Sequence, residues 1–374
     1  MGFEVRMDAS WLIIAALVTW TLTAGVFPFY YPGLPGSNYF WMGIAGAILL
    51  FGSIVVHELC HSIVARRYGI PMKGITLFVF GGIAEMDEEP PSANSEFAMA
   101  IAGPLASVAI GFIFFFIHRA VRATAPIQLT GVLAYIARIN WILAAFNMIP
   151  AFPLDGGRVL RALLWRHSGN LRRATRTASR IGVGFGIALM VLAIFELFFG
   201  SLVSAVWWFV IGMFLKSVAQ NSYQQVLVNS ALSGEPVRKF MHRDPETVTP
   251  EMSIAELVND HMYRYHHRMF PVLTDSNRLE GCVTSDQVKA VPREEWPIHR
   301  VEEIVRPSTP DNTITPDTDS MAALRLLQKS DNARLMVVDD GGQLVAIVAM
   351  KDLMDFLATK LDLEGGEPPR LRAA

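Results

Sequence analysis

The chain has 374 residues, of which 52% are hydrophobic and only 18% are charged. Because soluble proteins carry about 25% charged residues, this composition excludes an entirely soluble protein and indicates contact with the lipid bilayer. The formal net charge of −2 lacks the strong basic excess of a nucleic-acid-binding domain, so nucleic acid is excluded as a partner.

The charged residues are distributed unevenly along the chain. Residues 1–220 contain 10 acidic and 15 basic residues, whereas the remaining 154 residues contain 24 and 17. Since domains average about 150 residues, the length predicts two or three domains, and the charges predict a membrane domain before a soluble one. We expect a membrane domain at 1–220, a linker at 221–236, two repeats at 237–296 and 297–360, and a flexible tail at 361–374.

Six segments are apolar over the length of about 20 residues that crosses a bilayer. They lie at roughly residues 11–30, 41–65, 97–117, 129–150, 181–199 and 202–219. The first segment is longer than the core of a signal peptide and follows Glu4 and Asp8, so we expect an uncleaved span. The fold class predicted for this part is a polytopic α-helical membrane protein with about six transmembrane helices.

Lysine and arginine residues concentrate in the loops on one side of these spans. That side holds Arg66, Arg67, Lys73, Arg158, Arg161, Arg166, Arg172, Arg173 and Arg176, and the other side holds Arg119 and Arg122. Because basic loops stay in the cytoplasm, we expect a multi-pass protein of the cell membrane with both termini, and the C-terminal domain, in the cytoplasm.

The second span contains an HExxH motif formed by His57, Glu58 and His61. Residues four apart share a helix face, so both imidazoles can reach one metal ion, and Glu58 can accept a proton from a water molecule there. Zinc hydrolases use this combination of two nitrogen ligands and a carboxylate base. Ionisable groups in an apolar span are costly and mark a functional site. The alternative is a polar cluster that joins neighbouring helices.

Two further features follow the motif. Residues 74–84 (GITLFVFGGIA) combine β-branched and aromatic residues with glycine, which predicts a short hairpin or a re-entrant strand, or otherwise an ordinary loop strand. In the third span, the small residues of Ala102-Gly103-Pro104 allow close approach of helices, and a proline kink without a direct catalytic part is the favoured interpretation.

Catalytic zinc usually takes a third protein ligand. Spans two and four run in the same direction, so Asp155, which follows span four, lies at the membrane face toward which His57 is displaced. The segment NMIPAFPLDGGR around Asp155 has helix-breaking prolines and two glycines that permit it to fold back toward the metal. Asp155 could instead be the N-cap of the next helix. The other candidate ligands are Glu85, Asp87, Glu96, His118 and Glu196.

HExxH in one span and NMIPAFPLDGGR after a later one resemble the site-2 protease family of intramembrane zinc metalloproteases, over residues 8–220. The resemblance implies one zinc ion per chain on His57, His61 and Asp155, with Glu58 as general base and Asn147 near the scissile carbonyl. It also implies regulated intramembrane proteolysis, in which a transmembrane segment of a single-pass membrane protein is cut within the bilayer. Ala102-Gly103-Pro104 resembles the AGP segment of this family.

The segment at 74–84 is a candidate for holding such a substrate. Because an intact helix does not expose its peptide bonds to attack, an open strand edge could pair with an unwound substrate segment. We therefore take Phe78, Phe80, Gly81 and Gly82 as candidate substrate-binding residues.

An internal repeat with a period of about 65 residues follows the last span. Residues 237–241 (VRKFM) correspond to 301–305 (VEEIV), and 247–250 (TVTP) correspond to 313–316 (TITP). Each repeat is predicted to contain an extended segment, an amphipathic helix, two short strands around a turn and a second helix, which makes an α/β module.

These repeats, at about 237–357, resemble a tandem pair of CBS domains. In that family a Thr or Ser followed three residues later by Asp holds the ribose of an adenine nucleotide. In the first repeat Thr284 is present, but Gln287 stands three residues later where Asp is expected. In the second repeat Asp352 is present, but Ala349 stands where Thr or Ser is expected, so each repeat keeps half of the pair. Thr284 and Asp352 are candidate nucleotide-binding residues, and a packing or homodimerising module with a regulatory role is the alternative.

Two other classes of protein remain open. A membrane transporter or channel gated by CBS domains would use the histidines as a transit site, but transporters tend to show paired broken helices in repeated halves. A catalytically silent scaffold is the other class, although His57, Glu58, His61 and Asp155 are all present.

Overall fold

The computed structural model describes residues 4–7, 10–70, 72–78, 81–86, 89–200, 202–274, 276, 278–329 and 334–363. The chain divides into two compact units, Met1–Tyr223 and Gln224–Ala374. Most of the tail expected at 361–374 lies outside the described residues, since the last helix is described as far as Leu363.

The membrane part is helical, as predicted. Within the described residues, six helical segments are long and apolar enough to cross a membrane, namely Trp11–Tyr30, Gly36–Arg67, Ala93–Val121, Ile127–Asn147, Leu171–Phe199 and Leu202–Leu232. The first consists of helix α1 (Ser10–Thr21), a π-helical turn (Leu22–Val26) and helix α2 (Phe27–Tyr30). The others are α3 (Gly36–Arg67), α4 (Ala93–Val121), α5 (Ile127–Asn147), α7 (Leu171–Phe199) and α8 (Leu202–Leu232), and the shorter α6 (Asp155–Ser168) lies between α5 and α7.

Helix α8 continues through residue 232. Most of the linker expected at 221–236 is therefore helical. The chain leaves α8 at Gly234, whose φ of +78° lies in the left-handed region that glycine tolerates.

Helices α3, α4 and α5 form the frame of the membrane unit. A buried cluster that includes Leu22, Phe27, Met42, Val132 and Ile136 packs α3 and α5 against the first span. Between α3 and α5, the side-chain amide of Asn140 donates a hydrogen bond of 3.1 Å to Ser53 Oγ. Interhelical hydrogen bonds and small residues stabilise helix packing in lipid, where hydrophobic burial drives association weakly.

A small sheet follows α3. Strands β2 (Met72–Phe78) and β3 (Gly81–Met86) pair antiparallel, with Phe78 opposite Gly81, so the predicted hairpin is present. Strand β1 (Glu4–Met7) pairs parallel to β2 and gives the order β1-β2-β3. Strand β1 was not predicted from the sequence.

The second unit contains two sheets with flanking helices. Its elements are β4 (His242–Arg243), α9 (Ile254–Glu256), α10 (Tyr263–Tyr265), β5 (Met269–Leu273), β6 (Leu279–Thr284), α11 (Ser285–Lys289), β7 (Arg306–Pro307), β8 (Thr313–Ile314), α12 (Ser320–Lys329), β9 (Arg334–Val338), β10 (Leu344–Ala349) and α13 (Met350–Leu363). A π-helical turn (Leu257–Met262) joins α9 to α10. The predicted order of helix, two strands and helix is present in both repeats.

The two repeats exchange their edge strands. One sheet has the order β4-β10-β9-β8, and the other has the order β5-β6-β7. Strand β4 belongs to the first repeat by sequence but pairs with β10 of the second, and β7 of the second repeat pairs with β6 of the first. Because each sheet contains a strand from the other repeat, strand pairing joins the two repeats in one compact unit.

Candidate metal centre

Three side chains from distant parts of the sequence converge in the membrane unit. Nε2 of His57 lies 3.2 Å from Asp155 Oδ2, and Nε2 of His61 lies 3.3 Å from the same oxygen. The two Nε2 atoms are 3.1 Å apart. The histidines are 4% and 6% exposed, so these atoms meet in the protein interior.

Two helices supply these three side chains. The two histidines lie one turn apart on α3, so both rings leave the same face of that helix. Asp155 is the first residue of α6, whose N-cap is Leu154. The capping alternative for Asp155 is therefore not observed, and its carboxylate instead faces the imidazoles.

Helix α4 orients both imidazole rings. Nδ1 of His61 donates a hydrogen bond of 2.7 Å to the carbonyl oxygen of Met99, and Nδ1 of His57 lies 2.9 Å from Ser107 Oγ. A carbonyl oxygen only accepts, so Nδ1 of His61 carries a proton, and Nε2 is the ring nitrogen that faces Asp155. Metal-binding histidines commonly have their other nitrogen held in this way.

Gly103 allows α4 to approach this closely. A Cβ atom at this position would stand 2.5 Å from His57 Nε2 and would also overlap the ring of His61. The sequence analysis assigned the Ala102-Gly103-Pro104 segment a role in helix approach, and the structure shows that the groups approached are the two candidate ligands. It did not identify Met99 or Ser107, which lie in an ordinary apolar helical pattern.

The charge of Asp155 suits a cation site. Burial raises the pKa of this carboxyl group, but hydrogen bonds with His57 and His61 outweigh the effect and hold the pKa below its ordinary value. The group is therefore a carboxylate near neutral pH. Two imidazole nitrogens and one carboxylate oxygen, all within 4.8 Å of one another, match the ligand set of catalytic zinc sites. The residues present thus fit a zinc ion.

The two predicted catalytic residues lie on helices α3 and α5. Glu58 follows His57 on α3 and is half-buried. Asn147 is the last residue of α5 and is also half-buried, and the described hydrogen bonds do not join it to the three ligands. The loop from α5 to Asp155 is compact, since a Cβ atom at Gly156 would overlap the carbonyl groups of Met148 and Ile149.

The other candidates for the third ligand are placed elsewhere. Glu96 is fully buried and pairs with Arg161 rather than with the histidines. His118 Nδ1 donates to the carbonyl oxygen of Thr130, 3.1 Å away. Glu196 lies near the end of α7 beside Gly200. Glu85 lies in β3, and Asp87 is outside the described residues.

Three of the four candidate substrate-binding residues lie at the ends of β2 and β3 that adjoin each other. Phe78 is the last residue of β2, and Gly81 and Gly82 begin β3. Phe80 lies outside the described residues. The structure brings Phe78, Gly81 and Gly82 together through strand pairing.

The two candidate nucleotide-binding residues each serve the start of a helix. The Oγ1–H of Thr284 donates a hydrogen bond of 3.0 Å to Gln287 Oε1, which also accepts from the Thr284 backbone N–H. Asp352 Oδ2 accepts a hydrogen bond of 2.8 Å from the backbone N–H of Ala349. Both groups therefore already have partners within their own repeats.

Comparison with known proteins gives two family matches. The profile of peptidase family M50 matches residues 45–121 and 117–192, and that of the CBS domain matches residues 237–292 and 301–359. Both matches agree with the resemblances found in the sequence.

Similar proteins span nearly the whole chain. The chain is 31% identical over 364 residues to a Synechocystis sp. protein named provisionally as a zinc metalloprotease, covering 96% of this chain and 94% of that one. It is 33% identical over 334 residues to a zinc metalloprotease of Methanocaldococcus jannaschii, covering 88% and 89%. Among solved structures, the site-2 protease from Methanocaldococcus jannaschii is similar at 26% identity, with a TM-score of 0.42 over 60% of this chain and 92% of that chain.

Proposed function

This chain belongs to peptidase family M50 and is a site-2 protease-like zinc metalloprotease with two CBS domains, and we propose that it cleaves transmembrane segments of other membrane proteins. The observation that carries this proposal is the position of the candidate ligands within a span. His57 and His61 are buried residues of α3, a helix long and apolar enough to cross a membrane. We therefore expect the peptide bond that is cut to lie within the membrane layer.

We propose the following roles for the residues of the site. Zinc, when bound, acts as a Lewis acid that polarises a carbonyl group and lowers the pKa of water. His57, His61 and Asp155 would hold the ion. Glu58 accepts the proton of the attacking water as general base and then donates it to the leaving amine. Asn147 donates a hydrogen bond to the carbonyl oxygen of the substrate as negative charge develops there.

The proposed orientation places both termini and the CBS domains in the cytoplasm. The basic residues in the last turn of α3, together with those of α6 and the start of α7, support it, because basic segments are retained on the cytoplasmic side. Family membership also favours a protease over the transporter considered from the sequence. Only a measurement of cleavage would exclude a catalytically silent scaffold.

The experiment that tests the proposed function joins metal analysis with cleavage. The full-length chain is reconstituted in liposomes with a single-pass membrane protein, and zinc is quantified in the same sample. We expect one zinc ion per chain and cleavage within the transmembrane segment. Full zinc occupancy with intact substrate across a panel of single-pass proteins would contradict the proposal.

The edge of the small sheet is the proposed place for an unwound substrate. Strand β2 pairs with β1 on one side and β3 on the other, so β3 forms an edge of the described sheet. An edge strand presents free backbone donors and acceptors that an extended peptide can complete. Since β2 is the central strand, a proline at Phe78 would disrupt the sheet itself, and β3 is the strand to test.

Proline at Ile83 or at Ala84 in β3 distinguishes pairing with β2 inside the sheet from pairing with substrate at the free edge. Successive N–H groups in an antiparallel pair point alternately toward the partner strand and away from it. One proline therefore removes a donor to β2, and the other removes a donor from the free edge. Loss of one backbone hydrogen bond, about 1 kcal/mol, predicts that the outward-facing proline lowers cleavage roughly fivefold to tenfold with zinc retained.

Ile83→Ala, which keeps the backbone N–H, is the control for this pair of variants. Cleavage rates and zinc content are measured on the same preparations. Wild-type cleavage by both proline variants would show that β3 does not pair with the substrate.

We propose that the CBS domains act by packing or by forming a homodimer, with adenine nucleotide bound weakly or not at all. The support is that Thr284 and Asp352 are each engaged at a helix N-terminus and that neither repeat has both members of the ribose-binding pair. A regulatory influence on proteolysis would then act through the packing of the repeats.

Titration of the full-length protein with AMP and with ATP tests the nucleotide expectation. We expect calorimetry to give a dissociation constant of about 1 mM or weaker for both nucleotides. At about 1 mM nucleotide we therefore expect little thermal stabilisation. A tighter affinity that is lost in Thr284→Ala or Asp352→Ala would establish a nucleotide site. The mass of the detergent-solubilised protein reports the homodimer independently.

A further inference from the structure

We propose that Glu96 and Arg161 are positioning residues for the zinc site, which together hold Asp155 at the correct distance from His57 and His61. This inference rests on the proposed zinc function. Neither residue is a ligand candidate in the structure, and the pair lies between α4 and α6. The role of the pair follows from its position, because α4 contacts the two histidines and α6 carries Asp155.

The pair is buried and closely connected. The side chains of Arg161 and Glu96 are 4% and 0% exposed. Arg161 Nε donates a hydrogen bond of 2.5 Å to Glu96 Oε1, and its Nη2 also pairs with that oxygen. Nη2 lies 3.4 Å from Glu89 Oε2 as well. Such a charge-assisted, two-nitrogen contact fixes the orientation of the guanidinium group as well as its distance.

Arg161 also holds the loop that leads into Asp155. Its guanidinium group lies 5.1 Å from the centre of the Phe152 ring. Phe152 belongs to the segment between α5 and α6, and Arg161 follows Asp155 by six residues, about 9 Å along the helix axis. The arginine therefore connects both the loop before Asp155 and the helix after it to Glu96.

Glu96 connects this assembly to the helix that orients the histidines. Met99, Gly103 and Ser107 of α4 contact His57 or His61. Glu96 precedes Met99 by three residues and lies on the same side of α4. One face of α4 thus holds two ligands directly, and through Glu96 and Arg161 it holds the helix that carries the third.

The second carboxylate oxygen of Glu96 makes the helix contact more dependent on Arg161. Glu96 Oε2 is buried and has no hydrogen-bond partner among the described residues. Arg161 therefore supplies the main compensation for a buried negative charge, and a shift of α6 away from α4 would leave that charge unpaired. This cost holds α6 in place and, with it, Asp155.

The test measures zinc affinity and thermal stability in four variants of the full-length protein. They are Glu96→Gln, Arg161→Met, the double variant with both changes, and Arg166→Met as a control that removes an exposed charge from the same helix. Zinc affinity is measured by competition with a chelator, and the stability of the zinc-free protein by thermal unfolding. Neither readout depends on cleavage, so failure of the proposed proteolysis remains distinguishable from failure of this inference.

The double variant distinguishes a pair that only stabilises the fold from a pair that positions Asp155. Each single change leaves a buried charge or donor unpaired, so we expect both lower stability and lower zinc affinity. The double variant removes both charges and is expected to regain most of the stability. Its zinc affinity is expected to stay about 10–100-fold below wild type, the usual cost of losing a group that supports a metal ligand. Wild-type zinc affinity in the double variant, or in any folded single variant, overturns the proposal.

Discussion

Glu58→Gln is expected to lower cleavage by about 10²–10⁴-fold while zinc remains bound, because the change removes a general base and leaves the ligands intact. The amide of glutamine matches the carboxylate in size but does not accept a proton near neutral pH. His57 and His61, on the same helix, keep their contacts with Ser107 and Met99. Cleavage rate and zinc content are compared with wild type in the same liposomes.

Glu196→Gln is the matched control for this variant. It makes the same chemical change in another span, at a residue near the far end of α7. We expect Glu196→Gln to cleave at the wild-type rate. Turnover by Glu58→Gln at matched zinc content would remove Glu58 from the proposed mechanism.

Asp155→Ala is expected to lower zinc affinity by more than the 10–100-fold that loss of a supporting residue costs, because a ligand itself is removed. Asp155 Oδ2 lies close to both Nε2 atoms, at 3.2 Å and 3.3 Å. Without it, two imidazoles remain, and a three-ligand catalytic site becomes a two-ligand site. Cleavage falls with zinc occupancy in this variant.

Zinc content across three variants checks this expectation. Asp155→Ala is compared with Asp155→Glu, which keeps a carboxylate at a changed distance, and with Glu196→Ala, which removes a carboxylate elsewhere in the membrane unit. We expect zinc affinity to be highest in Glu196→Ala, lower in Asp155→Glu and lowest in Asp155→Ala. Equal zinc content in all three would assign the third ligand to another residue.

Features that repeat along the chain were predicted well from the sequence. The six spans follow from runs of apolar residues, because a bilayer sets the length of a crossing helix. The grouping of His57 with His61 follows from the helical repeat, since residues four apart share a face. The tandem repeats were visible as corresponding segments, and each contains the helix and strand order expected.

Contacts between distant segments were predicted poorly. The whole of the first two spans separates β1 from β2 in sequence, and no local pattern in residues 4–7 indicates that partner. The exchange of β4 and β7 between the repeats has the same cause, since a two-residue strand carries almost no periodic signal. Glu96 remained a candidate ligand because its burial opposite Arg161 depends on how α4 and α6 pack.

Among the candidates for the third ligand, the order of the spans along the chain favoured Asp155. By itself, the sequence also determined the membrane class, the HExxH helix and the tandem repeat. Each of these rests on spacing along one segment, which the geometry of a helix or strand converts directly into a shared face. Only the tertiary structure decided that Asp155 faces the histidines, that Glu96 pairs with Arg161 and that α4 orients both imidazole rings. The physical reason is that these contacts depend on the packing of helices whose sequences lie far apart, and packing is settled by the whole set of buried neighbours at once.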